Sequence, residues 1–181
     1  MFKYVIITPA HNEEDYIRYT LDSVVSQTIQ PTQWIVVDDG SADETESVLK
    51  SKFEGRIQYI RQKNLGPAAA RNTGIREARS DLIAFLDSDD VWLPDKLESQ
   101  MPAMLDKRVI LSYTNHIDEK DETKDYFHAI GFAVAESIMV IEDPLELLLR
   151  KGGSGIITPS VICRKDIVQK VGFFDERMRL A

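Results

Sequence analysis

Short apolar runs and polar helical stretches alternate along the first 113 residues. YVIIT (4–8), WIVVD (34–38), RIQYI (56–60), LIAFL (82–86) and VILSY (109–113) are each of strand length and rich in β-branched or aromatic residues. Their near-continuous hydrophobicity predicts strands buried on both faces. Between the first two, Ile17, Leu21, Val24, Val25 and Thr28 share one helical face over Tyr16–Thr28, with Asn12 as N-cap and Pro31 as stop. Ser41-Ala42-Asp43-Glu44 reads as a capping box for a second helix. A third helix starts near Gly66-Pro67 and a fourth at Pro94, a residue suited to a first helical position. The alternation predicts an α/β fold, a mostly parallel central sheet with helices on both faces. Ligands of such sheets bind outside the carboxyl ends of the strands, so those ends hold the informative residues.

After Tyr113 the pattern weakens. NHIDEKDETKD (115–125) reads as a charged, solvated connection. YFHAIGFAV suits an outer strand, DPLELLLRKGGSG a short amphipathic helix, and PSVICRKDIVQKVGFF one more strand and helix. A single domain accommodates all 181 residues.

The fourth strand sharpens the picture, because IAFLDSDDVW sets Asp87, Asp89 and Asp90 directly after an apolar run. Crowded carboxylates repel one another, so a cation, a proton or hydrogen-bond donors must compensate. If the segment stays extended, Asp87 and Asp89 point the same way, ~6–7 Å apart along the chain. With no Cys or His beside them, they offer hard oxygen ligands suited to Mg²⁺ or Mn²⁺, ions that sit between carboxylates and phosphates. The plainer alternative is a turn that caps a helix, and that reading suits Asp90.

The other strand ends carry weaker signals. The second closes on Asp38-Asp39-Gly40-Ser41, where one aspartate serves a turn and the other a ligand N–H or O–H. The first closes on TPAHNEE, in which Pro9 directs the chain and the His11 ring can stack on a nucleobase; alone, His11 would read as a loop histidine. Arg71 in GPAAARNTG lies one turn into a helix of small residues, where close approach to the sheet lets a guanidinium grip a diphosphate.

A formal charge of −8 leaves no basic stripe for nucleic acid. Cys163 is a lone cysteine that reads as a core hydrophobe, and no apolar run approaches the ~20 residues of a membrane span. The expectation is a cytoplasmic chain, peripheral at most to the inner face of a membrane.

Taken together, VIITPAHNEE, IVVDDGSADET, NLGPAAARNTGI and IAFLDSDDVWLPDKL resemble the nucleotide-sugar-binding half of the family 2 glycosyltransferases, which have the GT-A fold. The resemblance spans about residues 3 to 105. It implies a binding half at 1–105 and the start of an acceptor-side half at 106–181. It further implies that Pro9, His11 and Glu13 line the base and ribose, Asp39 accepts a base N–H, Arg71 meets the diphosphate, Asp87 lies near the ribose and Asp89 holds Mn²⁺ or Mg²⁺. His11 departs from the family's usual tyrosine but keeps a flat ring. The implied reaction is inverting transfer from a nucleotide-sugar, UDP-sugar first, to a saccharide or lipid-linked acceptor hydroxyl, as in polysaccharide synthesis. KVGFFDERMRLA resembles the stretch before the family's acidic pair, which puts the expected catalytic base beyond Ala181. Two alternatives stand beside it: a haloacid-dehalogenase-type phosphohydrolase with Asp87 as nucleophile, and a nucleotide-binding module without catalysis. A sugar nucleotidyltransferase would want a glycine-rich basic loop where this chain has PAHNEEDY.

Overall fold

A computed structural model describes residues 3–115, 117–118, 121–125 and 156–178. Four strands, β1 (Tyr4–Ala10), β2 (Gln33–Asp38), β3 (Gln58–Arg61) and β4 (Leu82–Phe85), are joined by helices α1 (Ile17–Val25), α2 (Thr45–Phe53) and α3 (Pro67–Glu77). They are followed by α4 (Lys96–Gln100), β5 (Leu111–Tyr113), a small ribbon of β6 (Ile117–Asp118) and β7 (Asp121–Asp125), β8 (Val161–Arg164) and α5 (Lys165–Val171). The main sheet runs β3-β2-β1-β4-β8-β5. β3, β2, β1 and β4 are mutually parallel, while β8 lies antiparallel between β4 and β5.

Alternate side chains of each buried strand enter opposite layers, as the pleat requires. Tyr4, Ile6, Trp34, Val36 and Ala84 face Ile17, Leu21, Val24, Leu49 and Leu97 of α1, α2 and α4. Val5, Ile7, Ile35, Val37, Ile83 and Cys163 face Ala70 and Ile75 of α3, with Val168 of α5 against the same layer. Cys163 is buried, as its setting suggested. Small residues do bring α3 close: a Cβ on Gly74 would stand 2.4 Å from Ile7 Cγ2. The polar residues after β1, β2 and β4 therefore gather at one edge.

Several boundaries differ from those the pattern predicts. α1 starts at Ile17, and Asn12 does not cap it; Asn12 takes a positive φ of 56° in the preceding loop. The capping box does not form either. Ser41 Oγ accepts the Asn12 N–H instead, and the start of α2 is held by Asp43 Oδ1, which accepts from Thr45 N at 3.0 Å. Pro94 lies in the turn before α4. β6 and β7 occupy the stretch read as a solvated connection, whose polar sequence carries no strand periodicity. The proposed outer strand at 126–134 and helix at 143–155 lie outside the described residues.

Candidate active site at the carboxyl edge of the sheet

The first two strand-end loops are laced together. Asn12 Oδ1 accepts Ala42 N–H at 2.8 Å, Thr45 Oγ1 accepts Glu13 N–H at 2.8 Å, and Glu14 Oε2 accepts Glu44 N–H at 2.8 Å. This web fixes Glu13 near the β4 end. Burial raises the Glu13 pKa, and the negative charges of Asp89 and Asp43 raise it further against a lowering pull from His11. Pro9 is buried in β1 opposite Val37, two residues past Ile7, the last β1 residue paired with β4. Its missing N–H therefore interrupts no bond to β4. His11 is exposed, with its Nε2 3.0 Å from Asn64 Nδ2 and 3.2 Å from Asn12 Nδ2.

Both aspartates closing β2 are buried. Asp38 Oδ1 accepts Ser41 N–H at 2.8 Å and Oδ2 accepts the Tyr59 hydroxyl at 2.7 Å. Burial pushes the Asp38 pKa up, yet these donors and Arg61 outweigh it and leave it below the ordinary carboxylate value. Asp39 Oδ1 accepts from Gln62 Nε2 at 2.7 Å and Leu65 N at 3.0 Å, and Oδ2 from Gly66 N at 2.7 Å. Asp39 thus shapes the loop into α3. Its Oδ2 has a single donor, which leaves one acceptor direction for a ligand N–H.

The β4 end behaves differently. Asp87 to Asp90 form a turn closed by Asp90 N–H to Asp87 O at 3.2 Å, so Asp87 and Asp89 are not neighbours on an extended strand. The register with β1 ends at Phe85 and the last bond from that neighbour is Leu86 N–H to Ile7 O at 3.1 Å, after which the chain bends, with Asp89 exposed and Ser88 buried. Asp87 pairs with Arg71 at 2.5 Å, and Asp89 is exposed. Burial, then Asp89, then Asp87 push the Asp90 pKa up to about 6, so all three carboxylates share one field. Asp90 therefore adds to the cluster as well as closing the turn. Arg71 Nε is buried and lacks a partner among the described residues.

These features fit a divalent ion bridging carboxylate and phosphate: exposed Asp89 offers oxygen, and Asp90 and the Arg71-paired Asp87 share its field. Among the described residues no three acidic, His or Cys side chains form a ready cage. Mg²⁺-type sites commonly use one or two carboxylates and complete the shell with water and phosphate.

Sequence reasoning missed Asn64, Gln62 and Asn72. Asn72 is 1% exposed and binds Phe174 and Glu176, residues 102 and 104 positions away. No local pattern could identify such long-range partners.

Comparison with known proteins identifies the family and the fold. The family model for glycosyl transferase family 2 matches residues 5–172. A UDP-Glc:alpha-D-GlcNAc-diphosphoundecaprenol beta-1,3-glucosyltransferase, WfaP of Escherichia coli, is 38% identical over 117 residues, 64% of this chain and 47% of that protein. The structure of Staphylococcus aureus TarS 1-349 in complex with UDP superposes with a TM-score of 0.71 at 24% identity, over 99% of this chain and 52% of that one. The mannosyltransferase PcManGT of Pyrobaculum calidifontis, in complex with GDP-Man and Mn²⁺, gives 0.69 at 20% identity, over 96% and 47%. At these identities the two structures speak to the fold. The chain spans 19% to 54% of the length of the related glycosyltransferases. No helix among the described residues is long and apolar enough to cross a membrane. With the fold and the family match in agreement, the phosphohydrolase alternative falls away: this chain belongs to glycosyl transferase family 2, with the GT-A type of α/β fold.

Proposed function

We propose that this chain binds a UDP-sugar at the carboxyl edge of its sheet and supports inverting sugar transfer to a saccharide or lipid-linked hydroxyl in polysaccharide synthesis. The observation that carries the reading is the β4-end cluster, in which exposed Asp89 sits among under-compensated carboxylates while Arg71 keeps a buried donor unused. In this reading Pro9, His11 and Glu13 border the nucleoside, the free direction of Asp39 Oδ2 accepts a base N–H, and Asp87 orients Arg71 toward the diphosphate. Asp89 would hold Mn²⁺ or Mg²⁺, which when bound stabilises the charge that develops on the leaving diphosphate. WfaP by its name uses UDP-Glc and a diphosphoundecaprenol acceptor, and TarS was solved with UDP, which favours a uridine donor here.

Transfer also needs a base for the acceptor proton. Arg177 holds Asp175 down at about 2, a poor base, and Glu176 is bound to Asn72. Neither is assigned as the base.

Calorimetric titration with UDP and GDP, each with and without Mn²⁺, tests the donor site. The expected result is metal-dependent UDP binding that Asp89→Ala abolishes. Equal, metal-independent binding by both proteins would sink the Asp89 assignment, and no binding of either nucleotide by folded protein would sink the donor site.

A further inference from the structure

Asn72 stands one residue from Arg71 on α3, yet its side chain turns to the far end of the described chain. Its Oδ1 accepts Phe174 N–H at 3.0 Å and its Nδ2 donates to Phe174 O at 2.9 Å, so one amide satisfies both backbone groups of Phe174. Nδ2 also donates to Glu176 Oε1 at 2.8 Å. A buried amide that makes three bonds in this way specifies one backbone position sharply, because losing it would strand several polar groups.

What that position holds is a ring. Phe174 meets Phe85, the last residue of β4, edge to face at 5.3 Å between centroids. The Arg71 guanidinium carbon lies 5.7 Å from the centre of the same ring. Arg71 is therefore fixed by Asp87 on one hand and by the Phe174 ring on the other. The chain enters this clamp through a helix stop: Gly172 at φ 96° and Phe173 at φ 69° donate back to Gln169 O and Val168 O. Phe173 in that left-handed region is strained and needs outside support. Arg76, one turn after Asn72, stacks over the Phe173 ring at 5.4 Å.

We propose that Asn72 is a positioning residue for the donor diphosphate: by clamping Phe174 it sets the ring that holds the Arg71 guanidinium in place. This rests on the donor-site reading above. The effect belongs to the diphosphate end of the ligand, since Pro9, His11, Glu13 and Asp39, which border the nucleoside, share no bond with the clamp among the described residues, and Asp87 meets it only through its bond to Arg71.

The test is an NMR titration of the whole chain with UDP and with uridine, for the parent, Asn72→Ala, Phe174→Leu and Phe174→Tyr. The expected result is UDP binding about tenfold weaker in Asn72→Ala and Phe174→Leu, unchanged uridine binding, and recovery of UDP affinity in Phe174→Tyr. Equal losses for UDP and uridine would reduce Asn72 to a structural anchor and overturn the proposal. So would an unchanged UDP-to-uridine ratio in Phe174→Leu, which decides the matter if Asn72→Ala does not fold. Failure of the parent to bind UDP would instead overturn the donor-site reading itself.

Discussion

At the end of β2, Asp38 and Asp39 are both buried and every carboxylate oxygen meets a donor, whether the Tyr59 hydroxyl, Gln62 or the N–H groups of Ser41, Leu65 and Gly66. At the end of β4, Asp87 shares a single short bond with Arg71, while the Asp89 and Asp90 side chains have no hydrogen-bond donor among the described residues. The two ends read alike in sequence, an apolar run closing on adjacent acids. They differ in what the third dimension brings to them. The loop from β3 to α3 folds its backbone donors onto Asp39, and Tyr59 of β3 reaches Asp38; beside β4, past Phe85, the neighbouring strand β8 has already ended its pairing at Ala84. One acidic pair is largely engaged in holding loops, with a single acceptor direction left on Asp39 Oδ2, and the other is left with charge to offer a ligand.

The contrast can be broken most severely at Asp38. Asp38→Ala should destabilise the fold by about 3 kcal/mol in urea unfolding, because it strands the Tyr59 hydroxyl and the Ser41 N–H in the interior. A loss of ~0.5 kcal/mol or less would mean the β2 end is no better compensated than the β4 end. Its pH dependence has a definite sign. The folded pKa of Asp38 lies below its ordinary 3.8, so the stabilisation is present above that value and fades as pH falls through the folded pKa. The stability gap between the parent and Asp38→Asn should narrow only below that pH.

Lys96 extends the comparison to a buried charge with no counter-ion among the described residues. Its Nζ lacks a hydrogen-bond partner among the described residues, and burial pushes its pKa down to about 7 although the amine lies 4.0 Å from the centre of the Trp92 ring. Ring attraction favours the cation by at most ~2 kcal/mol, less than full desolvation of an amine. The folded pKa is below the unfolded one, so stability should rise as pH climbs from about 7 toward 10.5. Lys96→Met should raise stability by about 2 kcal/mol at pH 6, with the gain shrinking across that interval. A gain independent of pH would show that the amine stays charged over the ring.

At the β4 end the expected costs are smaller. Asp87→Asn should lose about 1 kcal/mol, since it weakens one charge-assisted bond in a partly buried pair. Asp89→Ala should fall within ~0.5 kcal/mol of the parent in thermal unfolding, while removing metal-dependent UDP affinity. Should Asp89→Ala instead destabilise as Asp38→Ala does, Asp89 would be a structural acid and the distinction between the two ends would vanish.

Much of this was legible in the chain. The four parallel strands follow from apolar runs of strand length, the start of α3 from Gly66-Pro67, and the meeting of Asp39, Arg71, Asp87 and Asp89 at one edge from the rule that parallel strands share their carboxyl ends. The helix starts were less legible, since Ser41 has two uses for its hydroxyl and Asn12 took it. β8 was visible as a strand, but its antiparallel insertion between β4 and β5 was not, because pairing partners are not encoded locally.

Periodicity, turn residues and the grouping of acids are properties of neighbours along the chain, and they determined the α/β class, the alternation of strands and helices in its first half and the edge where ligands belong. Which acid is satisfied and which is exposed, why Asp87 to Asp90 turn instead of extending, and how Asn72 reaches Phe174 were decided only by tertiary structure. A carboxylate's role depends on donors from residues 3 to 27 positions away for Asp38 and Asp39, and an amide's on a partner 102 positions away, contacts that exist only once the sheet has closed.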